Sequence, residues 1–96
     1  MEFEEIIDRF LKVASEFDEI DKIILFGSFA KNKQSETSDI DIAISGKYDY
    51  FDLIDAIKNN INTLRSIDII NYDEIKSVSL REEIDRYGRV LYCKVR

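Results

Sequence analysis

Two aspartates set two residues apart in an apolar run, Asp39-Ile40-Asp41-Ile42-Ala43-Ile44, constrain this chain more than any other feature. A β-branched run of this length reads as a strand, Asp39 to Ser45, closed by Gly46. In a strand, residues two apart project from the same face, with Cα atoms about 7 Å apart. Asp39 and Asp41 are therefore neighbours, while Ile40 and Ile42 enter the opposite layer. Two ionised carboxylates so placed repel by roughly 2–3 kcal/mol at an effective dielectric near 20. A divalent cation removes the conflict, and hard oxygen ligands suit Mg²⁺ or Mn²⁺.

The segment just before supplies a second half for such a site. An apolar strand, Lys22 to Phe26, stops abruptly at Gly27-Ser28. Glycine has no Cβ, so the backbone can turn sharply there and approach a ligand closely. Ser28 is a good helix cap, which predicts a short helix over Phe29 to Lys33 whose first N–H groups could hold phosphate. Taken alone, Gly-Ser reads first as a plain turn with a capping serine. Lys31 follows, either as a point charge for phosphate or as a solvated surface lysine. Asn32 beside it tolerates a left-handed backbone.

The rest of the chain reads as scaffold. Phe3, Ile6, Ile7, Phe10, Leu11, Val13, Ala14 and Phe17 recur at helical spacing across residues 2–17, which predicts an amphipathic helix laid on a sheet. A partner-binding helix is the alternative for that stripe. A second helix is expected over residues 49–64, with Phe51, Ile54, Ile57, Ile61 and Leu64 inward. Arg65 to Tyr72 reads as a third strand carrying Asp68 between two isoleucines. A buried unpaired carboxylate is costly, so Asp68 either reaches solvent at a sheet edge or serves a site. Asp73 to Tyr87 reads as helical, with Ile75, Val78, Leu80 and Ile84 inward, a break near Ser77 or Ser79, and Gly88 as its C-terminal stop. Val90 to Val95 is a last strand, expected at an edge where Lys94 discourages stray pairing.

These elements predict one α/β domain over residues 1–96, with a mixed sheet of about four strands and helices packed mainly on one face. Charge then narrows the chemistry. A net charge of −6 argues against general nucleic-acid binding, which needs clustered Lys and Arg. The sequence holds no histidine, so a His general base and a Ser-His triad are excluded, and proton transfer falls to carboxylates or water. No apolar run approaches membrane-spanning length, and the single Cys93 has no internal disulfide partner, which fits a reducing cytoplasm.

Gly27-Ser28, ten intervening residues and then Asp39-Ile40-Asp41 resembles the signature of the polymerase-β-type nucleotidyltransferases. Within that superfamily, Gly27-Ser28-Phe29-Ala30 and Ser38-Asp39-Ile40-Asp41-Ile42-Ala43-Ile44 are similar to the minimal nucleotidyltransferases (MNT), small partners of helical HEPN proteins. Many relatives carry Arg-Gly where this chain has Lys31-Asn32. The resemblance implies that Asp39 and Asp41 bind two Mg²⁺ ions, with Asp68 the third carboxylate and a catalytic residue beside them. It further implies that Gly27, Ser28 and Lys31 hold the triphosphate of ATP. The activity so implied is transfer of AMP from ATP to a hydroxyl, with a tyrosine of a HEPN toxin as acceptor and this chain as the antitoxin. A domain this small is expected to lack an acceptor pocket of its own. Two other functions stay open at this point: an antitoxin that acts by occlusion alone, and the catalytic subunit of a split small-molecule transferase.

Overall fold

The two most continuously apolar stretches form the centre of a four-stranded sheet. A computed structural model of the chain describes residues 2–94. Strand β1 (Ile20–Phe26) pairs antiparallel with β2 (Ile40–Gly46), setting Leu25 opposite Ile42 and Phe26 opposite Asp41. Strand β3 (Ile67–Asn71) runs parallel to β2, and β4 (Arg89–Cys93) antiparallel to β1, giving the order β3-β2-β1-β4. A parallel pair needs a crossover, and helix α2 (Tyr50–Asn60) supplies it. The sheet is mixed and four-stranded, as the sequence predicts.

One face of the sheet carries most of the core. Helix α1 (Phe3–Ala14) buries Ile6, Ile7, Phe10, Val13 and Ala14, and α2 buries Leu53 and Ile57, against Ile23, Leu25, Ile40, Ile42 and Ile44. Fully burying one such side chain contributes about 1.5–3 kcal/mol. The third helix, α3 (Val78–Tyr87), lies on the opposite face, where Ile84 packs with Ile24, Phe26 and Ala43. Two of the three α-helices among the described residues thus share a face.

Several boundaries differ from the sequence reading, each for a local reason. Helix α1 stops at Ala14, where the Ser15 hydroxyl turns back to the Lys12 carbonyl at 2.6 Å. Helix α2 begins under the Asp49 cap, which accepts from the Asp52 amide, and ends at Asn60. Leu64 therefore lies beyond the helix and is fully exposed, and Phe51 in the first turn is 78 % exposed, not inward. Residues Tyr72–Glu74 form one 3-10 turn, and α3 starts only after Ser77, whose hydroxyl caps the Leu80 amide. The expected break near Ser77 is thus a helix start, and Val78 faces solvent.

Gly88 ends α3 in extended backbone, not in a left-handed cap. Its glycine is needed for a different reason. A Cβ there would lie 2.4 Å from the Ile84 carbonyl oxygen and 2.6 Å from Ile24 Cγ2, where helix meets sheet. Strand β4 is an edge as expected, and the Lys94 ammonium donates to the Asp18 carbonyl at 2.7 Å. Val95, expected to end that strand, lies outside the described residues. Among the described residues no helix is long and apolar enough to cross a membrane.

Candidate active site

The carboxylates singled out by the sequence meet at one end of the β2–β3 pair, on the face that α3 covers only in part. Asp41 lies in β2 directly opposite Asp68 of β3, and Asp39 sits just ahead of β2 instead of inside it. Ile40 and Ile42 between and beyond them are completely buried on the other face, as strand alternation requires. Asp39 and Asp68 are exposed, whereas Asp41 is half-buried. Asp68 thus reaches solvent at a sheet edge, and its register opposite Asp41 also sets it beside the Asp pair.

Burial pushes the Asp41 carboxyl above the ordinary carboxylate value, and the charges of Asp68, Asp39 and Glu83 push it further in the same direction. Burial and like charge both disfavour an ionised group. Among the described residues no lysine or arginine pairs with these three aspartates to relieve the crowding. The donors are all hard carboxylate oxygens, without thiolate or imidazole, which fits Mg²⁺ or Mn²⁺ and not zinc. Among the described residues no three acidic, His or Cys side chains converge into a finished metal cage. Mg²⁺ does not require one, because it commonly uses one or two carboxylates plus waters and substrate phosphates.

The Gly-Ser turn is fused to this cluster. Gly27 has φ +74°, a left-handed conformation that favours glycine, and a Cβ built on it would lie 2.3 Å from Asp41 Oδ2. The Asp41 carboxylate thus occupies the space that any side chain at position 27 would fill. Residues 27–32 form a series of turns, not the short helix the sequence predicts. Lys31 N–H donates to the Gly27 carbonyl at 3.2 Å and Lys33 N–H to the Ser28 carbonyl at 2.9 Å, a wider spacing than one helical pattern allows. Asn32 at φ +56° turns the chain away from a helix, in the left-handed conformation its side chain tolerates. Among the described residues, the amides of Ser28, Phe29 and Ala30 find no carbonyl acceptor, and the Ser28 hydroxyl caps none of the following amides.

Lys31 leaves this turn toward α3. Its ammonium pairs with the Glu83 carboxylate and lies 5.1 Å from the centre of the Tyr87 ring. Glu83 carries no sequence signal, since a glutamate on an amphipathic helix reads as solvated. Arg65 was legible only as the start of a strand. It donates to the Ser38 carbonyl at 2.6 Å and the Ser35 carbonyl at 3.3 Å, and so braces the loop that delivers Asp39. Beside Asp39 an open groove of about 440 Å³ runs along Glu36, Thr63, Leu64 and Ser66. The surface next to the carboxylates is therefore not as featureless as the length of the chain suggests.

Comparison with known proteins gives consistent findings. The family model "Polymerase beta, Nucleotidyltransferase" matches residues 8–96. MJ0126 of Methanocaldococcus jannaschii, a protein adenylyltransferase by name, is 34 % identical over 88 % of this chain and 89 % of its own length. MJ1217 of the same organism, named likewise, is 33 % identical over the same shares. Among solved structures, a toxin–antitoxin crystallised with AMP-PNP superposes with a TM-score of 0.73 at 21 % identity, covering 92 % of this chain and 73 % of that one. At that identity the likeness concerns the fold.

Proposed function

The chain belongs to the polymerase beta nucleotidyltransferase family, and from that premise we propose that it transfers AMP from ATP to a hydroxyl of a partner protein. The observation that carries this reading is the contact between its two halves. Asp41 is seated against the bare Cα of Gly27 and stands opposite Asp68, so the carboxylate cluster and the Gly-Ser turn form one site. Two separate motifs would have no reason to share that space.

In this reading Gly27, Ser28 and the free amides of the turn hold the β- and γ-phosphates, with N–H groups aimed at the leaving group. Asp39, Asp41 and Asp68 would hold the divalent ions, which when bound stabilise the charge on attacking and leaving oxygens. A bond forms between the acceptor oxygen and the α-phosphorus, and the bond to the departing pyrophosphate breaks. Asp68, exposed on the edge strand, takes the acceptor's proton, in a chain without histidine to do so. Its edge position and the groove beside Asp39 leave that side open to an acceptor presented by another molecule. The names of the curated relatives support a protein acceptor. The toxin–antitoxin fold neighbour and the MNT motifs support a helical HEPN toxin, with a tyrosine as the modified residue.

The test is transfer of label from ATP with Mg²⁺ to a helical HEPN protein encoded beside this chain. Label on the α-phosphate is expected on a tyrosine of that protein, and label on the γ-phosphate is expected in pyrophosphate. An Asp39→Ala, Asp41→Ala double variant is expected to bind the partner and add nothing. Retention of γ-label would mean kinase chemistry, and undiminished transfer by the double variant would remove the carboxylates from the reaction.

A further inference from the structure

Lys31 is the only lysine in the Gly-Ser turn before Asn32, and in the structure it does not face the open amides of that turn. Its ammonium is engaged by Glu83 from α3, with both side chains about two-thirds buried, and it lies over the Tyr87 ring. Glu83 itself stands close enough to the carboxylate cluster for its charge to be felt at Asp41. One glutamate thus binds the lysine of the turn and acts by its charge on the nearest carboxylate of the cluster. It neutralises the cation nearest the phosphate cradle and adds a fourth negative charge beside Asp39, Asp41 and Asp68.

We propose that Glu83 is a positioning residue that withholds Lys31 from the turn, and that the terminal phosphates of a nucleoside triphosphate compete with Glu83 for it. The proposal rests on the reading of the Gly27-Ser28 turn as a phosphate cradle. A polyphosphate carries more charge than one carboxylate, and lysine is a flexible point charge that can swing between partners without a fixed fork geometry. The ion pair is partly solvated, so giving it up costs little compared with a charge-assisted bond to phosphate. Glu83 thereby tunes the affinity for the triphosphate without touching it. It also favours a ligand whose own anionic groups outbid a carboxylate, so a triphosphate competes better than a monophosphate product.

The experiment is isothermal titration of the full chain with ATP and Mg²⁺, together with the KM and kcat of transfer. Glu83→Gln is expected to tighten ATP binding and lower KM by about 3- to 10-fold with kcat no higher, because Lys31 is released and a repelling charge removed. Lys31→Met is expected to weaken binding by a similar factor. In the double variant the benefit of Glu83→Gln is expected to vanish or to shrink to the smaller effect of the lost repulsion. A Glu83→Gln variant that binds ATP more weakly, in parallel with Lys31→Met, would make the pair a fixed clamp and overturn the proposal. Ser28→Ala separates the two readings. If it weakens ATP binding while Lys31 and Glu83 variants change nothing, this inference alone fails. If none of the three matters, the nucleotide does not sit at this turn and the proposed function fails with it.

Discussion

Replacing Asp41 by asparagine is expected to abolish transfer and to stabilise the protein in metal-free buffer. Asp41 stands opposite Asp68 on a parallel strand, where neighbouring strands are about 4.8 Å apart, and Asp39 lies two residues away. Unscreened at an effective dielectric of 20, each of these carboxylates would cost roughly 2–4 kcal/mol. Asp68 and Asp39 are exposed, however, and solvent reduces such terms to fractions of that value. A net gain of about 1 kcal/mol is a fair figure for Asp41→Asn, equivalent to roughly 4–8 °C in Tm for a domain of this size. The sign with pH follows from the raised Asp41 value. Between the unfolded value and the higher folded one, the native state binds more protons than the unfolded state, so this group lowers stability as pH rises. The advantage of asparagine is therefore full at neutral pH and absent below the unfolded Asp range near pH 4. Thermal melts in EDTA at about pH 3 and about pH 7.5 measure both arms. A variant several degrees less stable than wild type at pH 7.5 would show that the carboxylate is part of the scaffold and would refute the reasoning.

Two further substitutions probe the same construction. Gly27→Ala is expected to cost about 1–2 kcal/mol from the left-handed backbone alone and to displace the Asp41 carboxylate, so that chemical denaturation and transfer activity both fall; unchanged activity would place Asp41 outside the chemistry. Ser77→Ala removes the cap of α3 and is expected to cost about 0.5–2 kcal/mol in urea melts, with KM for ATP little changed, because the cap lies a turn and a half ahead of Glu83.

The carboxylate pair and the Gly-Ser turn were legible because each breaks a local rule. Two acids in an apolar run and a glycine that stops a strand stand out from a scaffold pattern, and the structure brings them into contact. Asp68 was legible from strand order alone, and its register opposite Asp41 is what the parallel β2–β3 pairing delivers. Three features were hidden. The short helix expected after Ser28 dissolves into turns, since the Asn32 conformation breaks the helical path. Leu64 fits the helical period yet faces solvent, because α2 ends at Asn60 and periodicity does not report where a helix stops, and Phe51 in the first turn of α2 is exposed as well. Glu83 gained its role only from the placement of α3 on the second face, and helix spacing does not say which side of a sheet a helix will cover.

That placement also explains why the carboxylate end of the sheet is open. The face under α1 and α2 is sealed by Phe10, Leu53 and a row of isoleucines, which supplies the stability that a cluster of like charges takes away. On the other face Ile84 of α3 packs on Ile24, Phe26 and Ala43, with Leu80 and Ile70 at the margin of that cluster. The starts of β2 and β3 are left without a helix above them, and those are the positions that carry Asp41 and Asp68. Extending α3 toward them would bury the carboxylates and raise the cost of ionising them well beyond that at Asp41. A half-covered sheet is therefore a requirement of the charge cluster. It leaves α3 close enough for the Glu83 charge to act on Asp41, and it leaves Asp68 exposed on an edge strand.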